Sequence, residues 1–432
     1  MVQRIEYLKR LEKWQEKQQV KVISGVRGCG KTTLLALYID QLKRSGVEDG
    51  QIMYISMDDP ESESLLHYQG LYSYIKKRLC KEKCTYIFID EMQKCAQYEK
   101  AIDGLLLKNQ VNVFVAVSGS YCFTDIPHIE IKILPLSFAE HLIFAKVRNR
   151  SPQIPAIAPQ KPEPLRMEPL RMERRLPRQK AQVEKYLQRE AFHHYLSFGG
   201  FPFAATLGGD AGLVRQCVEG IYHTILIKDV ARQAGIHDIP LLEHIARVMS
   251  HSIGLGLNAK KISAEISVKG KKITADTVET YMQALVNACV FYFIGRFDIK
   301  IGKRLKTLGK YYIADTGIQN LLLEKVPDLN GQLENIVCME LLRRGFQVYI
   351  GKYGNDEISF VAVESSDDSA DNISYFQVMA AVRDNPAYAG KFSALEQIPG
   401  NHPKYIISLD QTPFRSHHNG ITQRNLIEWL IP

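Results

Sequence analysis

The sequence has few of the features that mark secreted or membrane-spanning proteins. Its eight cysteines are scattered through 432 residues, and no apolar run approaches the ~18 residues that cross a bilayer. Met1–Lys13 is charged where a signal peptide would be apolar, so we expect a cytoplasmic protein without membrane contacts. The closest cysteines, Cys80, Cys84 and Cys95, lack a second Cys or His pair at zinc-site spacing, so we expect reduced structural thiols.

Excess charge is also scarce outside one segment. The net charge is +8, and Lys146–Arg189, with twelve basic and four acidic residues, carries all of it. Ser151–Lys180 contains seven prolines and repeats EPLRM in tandem, which predicts a disordered insertion over residues 148–185. Two interpretations of this insertion stay open. Its basic side chains contact nucleic acid or acidic lipid, or the insertion is solvated and has no function of its own.

The most informative stretch is a strand–turn–helix pattern from Val20 to Thr33. Its turn matches G-x-x-x-x-G-K-[ST] at every fixed position, after a short apolar strand and before a helix-like run. This pattern predicts a phosphate cradle for ATP, in which Lys31 faces the β- and γ-phosphates and Thr32 holds Mg²⁺. The expected nucleotide-binding residues are Gly25, Val26, Arg27, Gly28, Cys29, Gly30, Lys31, Thr32 and Thr33.

Two later strands end in polar residues that complete such a site. Thr85–Gln93 reads TYIFIDEMQ, a buried strand that ends in Asp90 and Glu91. Carboxylates at this end of a parallel strand face the ligand crevice, so Asp90 is the expected Mg²⁺ ligand and Glu91 the catalytic base. Ser118 ends the next strand, where it either senses the γ-phosphate or caps a turn.

Strands and helices alternate from Val20 to Leu134, which predicts an α/β fold with a parallel sheet covered on both faces. An acidic pair with an extra sensor strand is typical of the P-loop ATPases that have an additional central strand and a catalytic glutamate.

Over nearly its whole length apart from Arg150–Lys185, the chain resembles a prokaryotic family that joins an AAA-type P-loop ATPase domain to a C-terminal domain of the PD-(D/E)xK nuclease type. The resemblance rests on the motifs GVRGCGKTT, YIFIDEMQ, VSGS, ILPLSFAEHL, FHHYLSFGGFP, LIKDVARQ and ENIVCMELLRRGFQVYIGKYGNDEISFVAV. It implies the same phosphate, metal and catalytic roles for Lys31, Thr32, Asp90 and Glu91.

The chain departs from this family after the sensor strand. Members usually carry a longer segment with Ser-Gly-Arg, whose Arg would act on a neighbouring subunit, whereas Ser120–Leu134 is short and contains no Arg. An arginine finger contributes ~10³–10⁵ in rate. We therefore expect slow hydrolysis unless Arg27 or a distant Arg substitutes, and a homo-oligomer stays open.

Four regions are expected along the chain: the ATPase domain (1–147), the insertion (148–185), a helical and winged-helix-like region (186–325) and the nuclease-like domain (326–432). The winged helix rests on two helical stretches, Asn258–Val268 and Thr274–Ala288, followed by a basic hairpin. Its second helix offers few side chains suited to reading bases, so groove binding and a purely structural module both stay open. DNA and a protein are the candidate partners.

A nuclease of the resembled type uses a helix Glu, a strand Asp, and an acid or Gln followed by Lys two residues later. The matching positions are Glu334, Ser359, Gln377 and Met379. Ser is a poor Mg²⁺ ligand and Met carries no charge, so we expect no nuclease activity. The sequence thus favours a Mg·ATP-hydrolysing AAA-type ATPase that drives or gates its C-terminal regions, with a nucleotide-gated binding module of negligible turnover as the alternative.

Overall fold

A computed structural model describes residues 4–431, except 16, 18, 109, 121–125, 149–174, 209, 269–272, 324–327, 365–371, 383–385 and 412–416. Within these residues the strands form two sheets. No described helix combines the length and the apolar character needed to cross a membrane.

The first sheet is parallel throughout and has the strand order β2-β3-β4-β1-β5. Its strands are β1 (Val20–Gly25), β2 (Ile52–Ser56), β3 (Thr85–Asp90), β4 (Val111–Ser118) and β5 (His128–Lys132). The helices of this region are α1 (Ile5–Lys13), α2 (Lys31–Arg44), α3 (Tyr68–Lys76), α4 (Tyr98–Leu106) and α5 (Phe138–Arg148). The predicted parallel α/β sheet is therefore confirmed.

Both faces of this sheet are buried, which explains the continuous apolar runs of its central strands. Phe88 and Phe114 face α2, where they contact the ring of Tyr38. Their neighbours Ile87 and Val113 face the opposite way, into a second cluster with α3 and α4. The pleat places successive residues on opposite faces, so each strand contributes to two cores.

A helical region follows and packs on the α2 face of the sheet, in the same hydrophobic cluster. It comprises α6 (Arg175–Phe198), α7 (Pro202–Leu207), α8 (Ala211–Thr224), a π-helical turn (Ile225–Ala231), α9 (Arg232–Ala234), α10 (Ile239–His251), α11 (Ala259–Val268) and α12 (Ala275–Asn287). The expectation of disorder up to residue 185 is wrong for its last part, because α6 begins at Arg175. Pro177 stands in the first turn, where its missing N–H costs no helical hydrogen bond; residues 149–174 lie outside the described chain.

The second sheet is mixed and has the order β12-β13-β11-β10-β9-β8-β6-β7. Its strands and their helices are β6 (Phe291–Asp298), β7 (Lys303–Ile313), α13 (Thr316–Leu322), α14 (Leu329–Arg343), β8 (Gln347–Tyr353), β9 (Asp356–Glu364), β10 (Asn372–Val378), α15 (Pro386–Glu396), β11 (Lys404–Ser408), β12 (His417–His418), β13 (Ile421–Asn425) and α16 (Leu426–Leu430).

The strands of this sheet come from both sides of the expected division of the chain at residue 325. Hairpin β6–β7, which we assigned to a winged helix, pairs with β8 in parallel through Arg296, Phe297 and Asp298. The hairpin thus extends the C-terminal sheet instead of standing free as a wing. The basic turn at 269–272 lies outside the described residues.

Candidate functional site

The turn between β1 and α2 adopts a conformation that requires glycine. Gly25 has φ 150°, and a Cβ there would lie 2.2 Å from the carbonyl oxygen of Ile133. Gly30, which caps α2, has φ 102°. The loop can therefore approach a ligand with its backbone, and the N-terminus of α2 points toward the same space.

Two cationic side chains donate hydrogen bonds to backbone carbonyls of this loop. The Lys31 ammonium donates to the carbonyls of Gly25 and Val26 at 3.0 and 3.1 Å. Arg4 donates to the carbonyl of Cys29 at 3.0 Å and forms a salt bridge with Glu140 at 2.9 Å. The side chains of Val26 and Cys29 are fully buried, so these two residues can contact a ligand only through their backbone.

Asp90 and Thr32 meet at the carboxyl end of β3. The Thr32 hydroxyl donates to Asp90 Oδ2 at 2.6 Å, and the Tyr54 hydroxyl reaches the same oxygen at 3.2 Å. Burial raises the pKa of Asp90 above its ordinary value, against the opposing effect of the Thr32 hydrogen bond. The Thr32 hydroxyl and the Asp90 carboxylate, which the sequence predicts as metal ligands, thus lie in direct contact with each other.

Glu91 lies beside Asp90 in a left-handed backbone conformation, with φ 54°. Its Oε1 accepts a hydrogen bond from Ser118 Oγ at 2.8 Å. Its Oε2 accepts from Gln93 Nε2 at 2.7 Å and from an Arg27 guanidinium nitrogen at 3.0 Å. Ser118 therefore contacts the expected catalytic base, and both of the carboxylate oxygens are engaged.

Arg27 connects this loop to the helical region. Its Nε and one terminal nitrogen each donate to a different oxygen of Asp229, both at 2.8 Å. The hydrogen bonds that Arg27 donates to Asp229 raise the pKa of its guanidinium, as do the charges of the nearby carboxylates, while burial opposes this shift. This two-point pair is the strong form of an arginine–carboxylate contact.

A cavity of about 550 Å³ lies over the loop and brings most of the predicted residues together. The predicted residues that line it are Arg27, Gly28, Gly30, Lys31, Thr32, Thr33, Asp90 and Glu91. Gly25, Val26, Cys29 and Ser118 do not line it, although Ser118 reaches it through Glu91. The opposite wall comes from α5 and α7, which contribute Phe144, Pro202, Phe203 and Thr206.

Sequence reasoning missed several of the contacting residues. Nothing in the local sequence distinguishes Arg4 or Tyr54 from its neighbours, and Gln93 stands out only as the last residue of the YIFIDEMQ motif. Asp229 belongs to the LIKDV motif of the family resemblance, which was a signal, but nothing in the sequence indicated its partner. Contacts between residues 202 positions apart cannot be read from local pattern.

The residues at the positions matched to a nuclease site contact other side chains of the chain or lie in its core. Ser359 Oγ donates to Gln377 Oε1 at 2.9 Å, and both side chains are buried. Glu334 accepts from the Tyr312 hydroxyl at 2.5 Å and pairs with the Lys310 ammonium at 3.3 Å. Met379 is 1% exposed in the core of the sheet.

Comparison with known proteins identifies the first region. Residues 17–142 match a family described as an AAA domain, and residues 189–328 match a domain of unknown function. Over 443 residues the chain is 28% identical to an uncharacterised protein of Haemophilus influenzae, covering 100% of this chain and 99% of that protein. A stretch of 144 residues is 30% identical to an uncharacterised protein of Methanocaldococcus jannaschii, covering 30% of this chain and 29% of that protein. The N-terminal region is therefore similar to AAA domains, and its five-stranded parallel sheet fits a P-loop NTPase fold.

Two solved structures align with part of this chain. The Walker-type ATPase of Pyrococcus abyssi is 12% identical with a TM-score of 0.48, over 74% of this chain and 96% of that chain. A signal transduction ATPase with numerous domains from Pyrococcus horikoshii is 11% identical with a TM-score of 0.31, over 80% of this chain and 46% of that chain. Neither likeness bears on what this chain does.

Proposed function

We propose that the chain binds Mg·ATP in the cavity over the β1–α2 loop and hydrolyses it. One observation carries this proposal: the Thr32–Asp90 hydrogen bond of 2.6 Å lies in the same cavity as Lys31 and Glu91. These four side chains are the ones that P-loop ATPases need for phosphate, metal and water.

The loop and Lys31 supply the phosphate site. Backbone N–H groups of Gly28 and Gly30 and the first turn of α2 form a concave anion site. The Lys31 ammonium, now held by two loop carbonyls, adds a positive charge that suits the β- and γ-phosphates. The aromatic and apolar side chains of α5 and α7 close the other wall.

The donor set fits Mg²⁺. This ion prefers oxygen ligands and keeps several waters, so one carboxylate and one hydroxyl are a sufficient protein contribution. Asp90 and Thr32 provide these two oxygens in direct contact with each other. When bound, the ion would neutralise charge on the phosphate oxygens.

Glu91 is the residue placed to accept a proton from the attacking water. It borders the cavity and is held by Ser118 on one oxygen, which fixes the orientation of the carboxylate. The water oxygen forms its bond to the terminal phosphorus while the bond to the bridging oxygen breaks and ADP leaves with that electron pair. The proton goes to Glu91.

The binding half of this proposal is tested by titrating the full chain with ATP, with and without Mg²⁺, by calorimetry. Lys31→Ala should weaken ATP binding by at least tenfold, because a phosphate-facing charge is lost. Lys43→Ala, at the exposed end of the same helix, is the matched control and should leave it unchanged. Equal affinity in all three proteins would contradict the assigned phosphate site.

We also propose that nucleotide gates the C-terminal regions. Pro202, Phe203 and Thr206 of α7 form one wall of the cavity, so a bound nucleotide would touch the AAA domain and the helical region together. The alternative function is a nucleotide-gated module that binds nucleic acid or a protein with negligible turnover. The engaged state of Glu91, whose oxygens accept three side-chain hydrogen bonds, favours that alternative.

For the C-terminal region we propose a nuclease-like fold without nuclease activity. Its order of α14, three strands, α15 and a further strand, with β9 antiparallel to its neighbours, supports the resemblance. Ser359 donates to Gln377 where a nuclease of this type has an Asp, and the Lys310 ammonium pairs with the carboxylates of both Glu334 and Glu357 at 3.3 and 2.6 Å, so a cation of the chain already occupies the place between them. Incubation of the chain with linear and supercoiled DNA and with RNA in Mg²⁺ should give no cleavage, and Mg²⁺-dependent cleavage absent from Glu334→Gln would contradict this.

A further inference from the structure

Arg27 is the one arginine among the described residues that line the cavity. Its side chain is 20% exposed, whereas its partner Asp229 has a side chain only 2% exposed. A buried carboxylate that binds two guanidinium nitrogens fixes the plane of the guanidinium as well as its position.

One end of that guanidinium is left available. Asp229 accepts hydrogen bonds from Arg27 Nε and from one terminal nitrogen, and that terminal nitrogen also donates to Glu91. The other terminal nitrogen makes no hydrogen bond with any described residue. Arg27 therefore presents oriented donors to the cavity beside the carboxylate that would activate water.

The position of Asp229 has its own structural cause. It lies in the π-helical turn Ile225–Ala231, between α8 and α9, and is 4% exposed. A π-helical turn inserts a residue into a helix and redirects the side chains that follow, and such turns occur frequently at functional sites. The apolar residues around it, Leu226 and Val230, are fully buried, so the turn is packed firmly.

We propose that Arg27 is the arginine that stabilises the charge on the terminal phosphate during hydrolysis, supplied within its own chain, and that Asp229 is the positioning residue that holds it there. This inference rests on the proposed function. As water attacks and ADP departs, negative charge spreads over the phosphoryl oxygens, where a guanidinium is most effective. A cis arginine would make turnover compatible with the absence of Arg from Ser120–Leu134.

The same contact joins two regions of the chain. Asp229 belongs to the helical region and Arg27 to the AAA domain, so a movement of the π-helical turn would displace the arginine from the cavity. A displacement of about 1 Å in a catalytic group costs about 10²-fold in rate. Turnover thereby depends on how the helical region docks.

The test compares Arg27→Ala, Arg27→Lys and Asp229→Asn with Arg232→Ala and Glu219→Gln, which change exposed residues of the same helical segment. We measure kcat, the affinity for ADP, and the trapping of Mg·ADP with aluminium fluoride, which mimics the transferring phosphoryl group. Arg27→Ala should lower kcat by about 10³-fold and abolish trapping, with ADP affinity within threefold. Asp229→Asn should lower kcat by about 10²-fold, and the two controls should match the wild type.

A cis arginine also gives the wild type a specific activity that does not change with protein concentration. Arg27→Lys keeps a charge but not the two-point contact, so it should resemble Arg27→Ala in trapping; it also serves if Arg27→Ala does not fold. Wild-type turnover with unaltered trapping in the Arg27 and Asp229 variants would overturn the inference and leave the ATPase intact. No ATP binding by the wild type would instead remove the proposed function itself.

Discussion

At the scale of single residues, the phosphate-binding loop could be read from the sequence because its residue types are forced by local geometry. Gly25 must be glycine, since any Cβ would meet the Ile133 carbonyl. Lys31 and Thr32 follow from the motif alone. Arg4 and Asp229 could not be read in the same way, because each acts on a loop that is distant in sequence.

Gly25→Ala should therefore abolish ATP binding and lower the stability of the domain. The added methyl group needs more room than the 2.2 Å available, in a backbone conformation that alanine rarely adopts. Calorimetric titration with ATP measures the binding and urea unfolding measures the stability. Gly46→Ala, which also replaces a glycine with positive φ but meets no atom within 4 Å, is the control for strain alone. Equal effects of the two changes would show that the contact with Ile133 is unimportant.

Arg4→Met should destabilise the AAA domain by about 3–5 kcal/mol, because it leaves Glu140 partly buried without its partner. The same change removes the donor to the Cys29 carbonyl, so the loop should also bind ATP more weakly. Urea unfolding of Arg4→Met, Glu140→Gln and the double variant gives the coupling between the two residues. A coupling near zero would show that the pair contributes nothing.

At the scale of elements, the five parallel strands were predicted because each is a short apolar run followed by polar residues. The sequence predicts the hairpin β6–β7, but it does not predict that β6 pairs with β8. The alternation of residues within a strand does not specify which strand lies beside it. The start of α6 was missed for a different reason: proline density outweighed the helical pattern that follows it.

Asp315 caps α13 and also holds the Gly-Gly turn before α7. It accepts hydrogen bonds from the backbone of Gly200, Gly317 and Ile318, yet complete burial raises its pKa to about 6. The folded state thus binds a proton more tightly than the unfolded state, so this group's contribution to stability is present below about pH 4 and is lost as the pH rises to 6.

We therefore expect the unfolding free energy of the wild type, relative to Asp315→Asn, to fall by about 1–3 kcal/mol between pH 4 and pH 6.5 and to level off above. Urea unfolding at four pH values in this window measures it. Taking the difference between the two proteins cancels the contributions of the other titrating groups, which both proteins share. A difference that stays constant with pH would show that the carboxylate has an ordinary pKa in the folded chain.

At the scale of the whole molecule, the regions share one hydrophobic cluster that runs from α1 and α2 through the helical region to α14. Arg343 of α14 is buried and donates to the carbonyl of Pro135 at 2.9 Å, while Arg10 of α1 donates to the carbonyl of Arg343 at 2.6 Å. Four separate regions were expected from the sequence. The shared cluster arises from surfaces that only the folded chain brings together.

Unfolding should accordingly be cooperative across the AAA and C-terminal regions. Arg343→Met should lower the unfolding free energy by about 3 kcal/mol, since Glu340 then keeps only Arg344 as a partner. Arg424→Met, on the exposed side of β13, is the control. Tryptophan fluorescence and circular dichroism should report the same midpoint for each protein, and two separate midpoints would contradict the shared core.

Hydrolysis of Mg·ATP by this chain is tested most directly by steady-state rates of the wild type and of Glu91→Gln, each at saturating ATP with the bound nucleotide quantified. We expect both proteins to bind ATP equally and Glu91→Gln to turn over about 10²–10⁴-fold more slowly, because the amide cannot accept the proton of the attacking water. Equal rates in the two proteins would contradict Glu91 as the base. ATP bound by the wild type without turnover would make the chain a nucleotide-gated binding module.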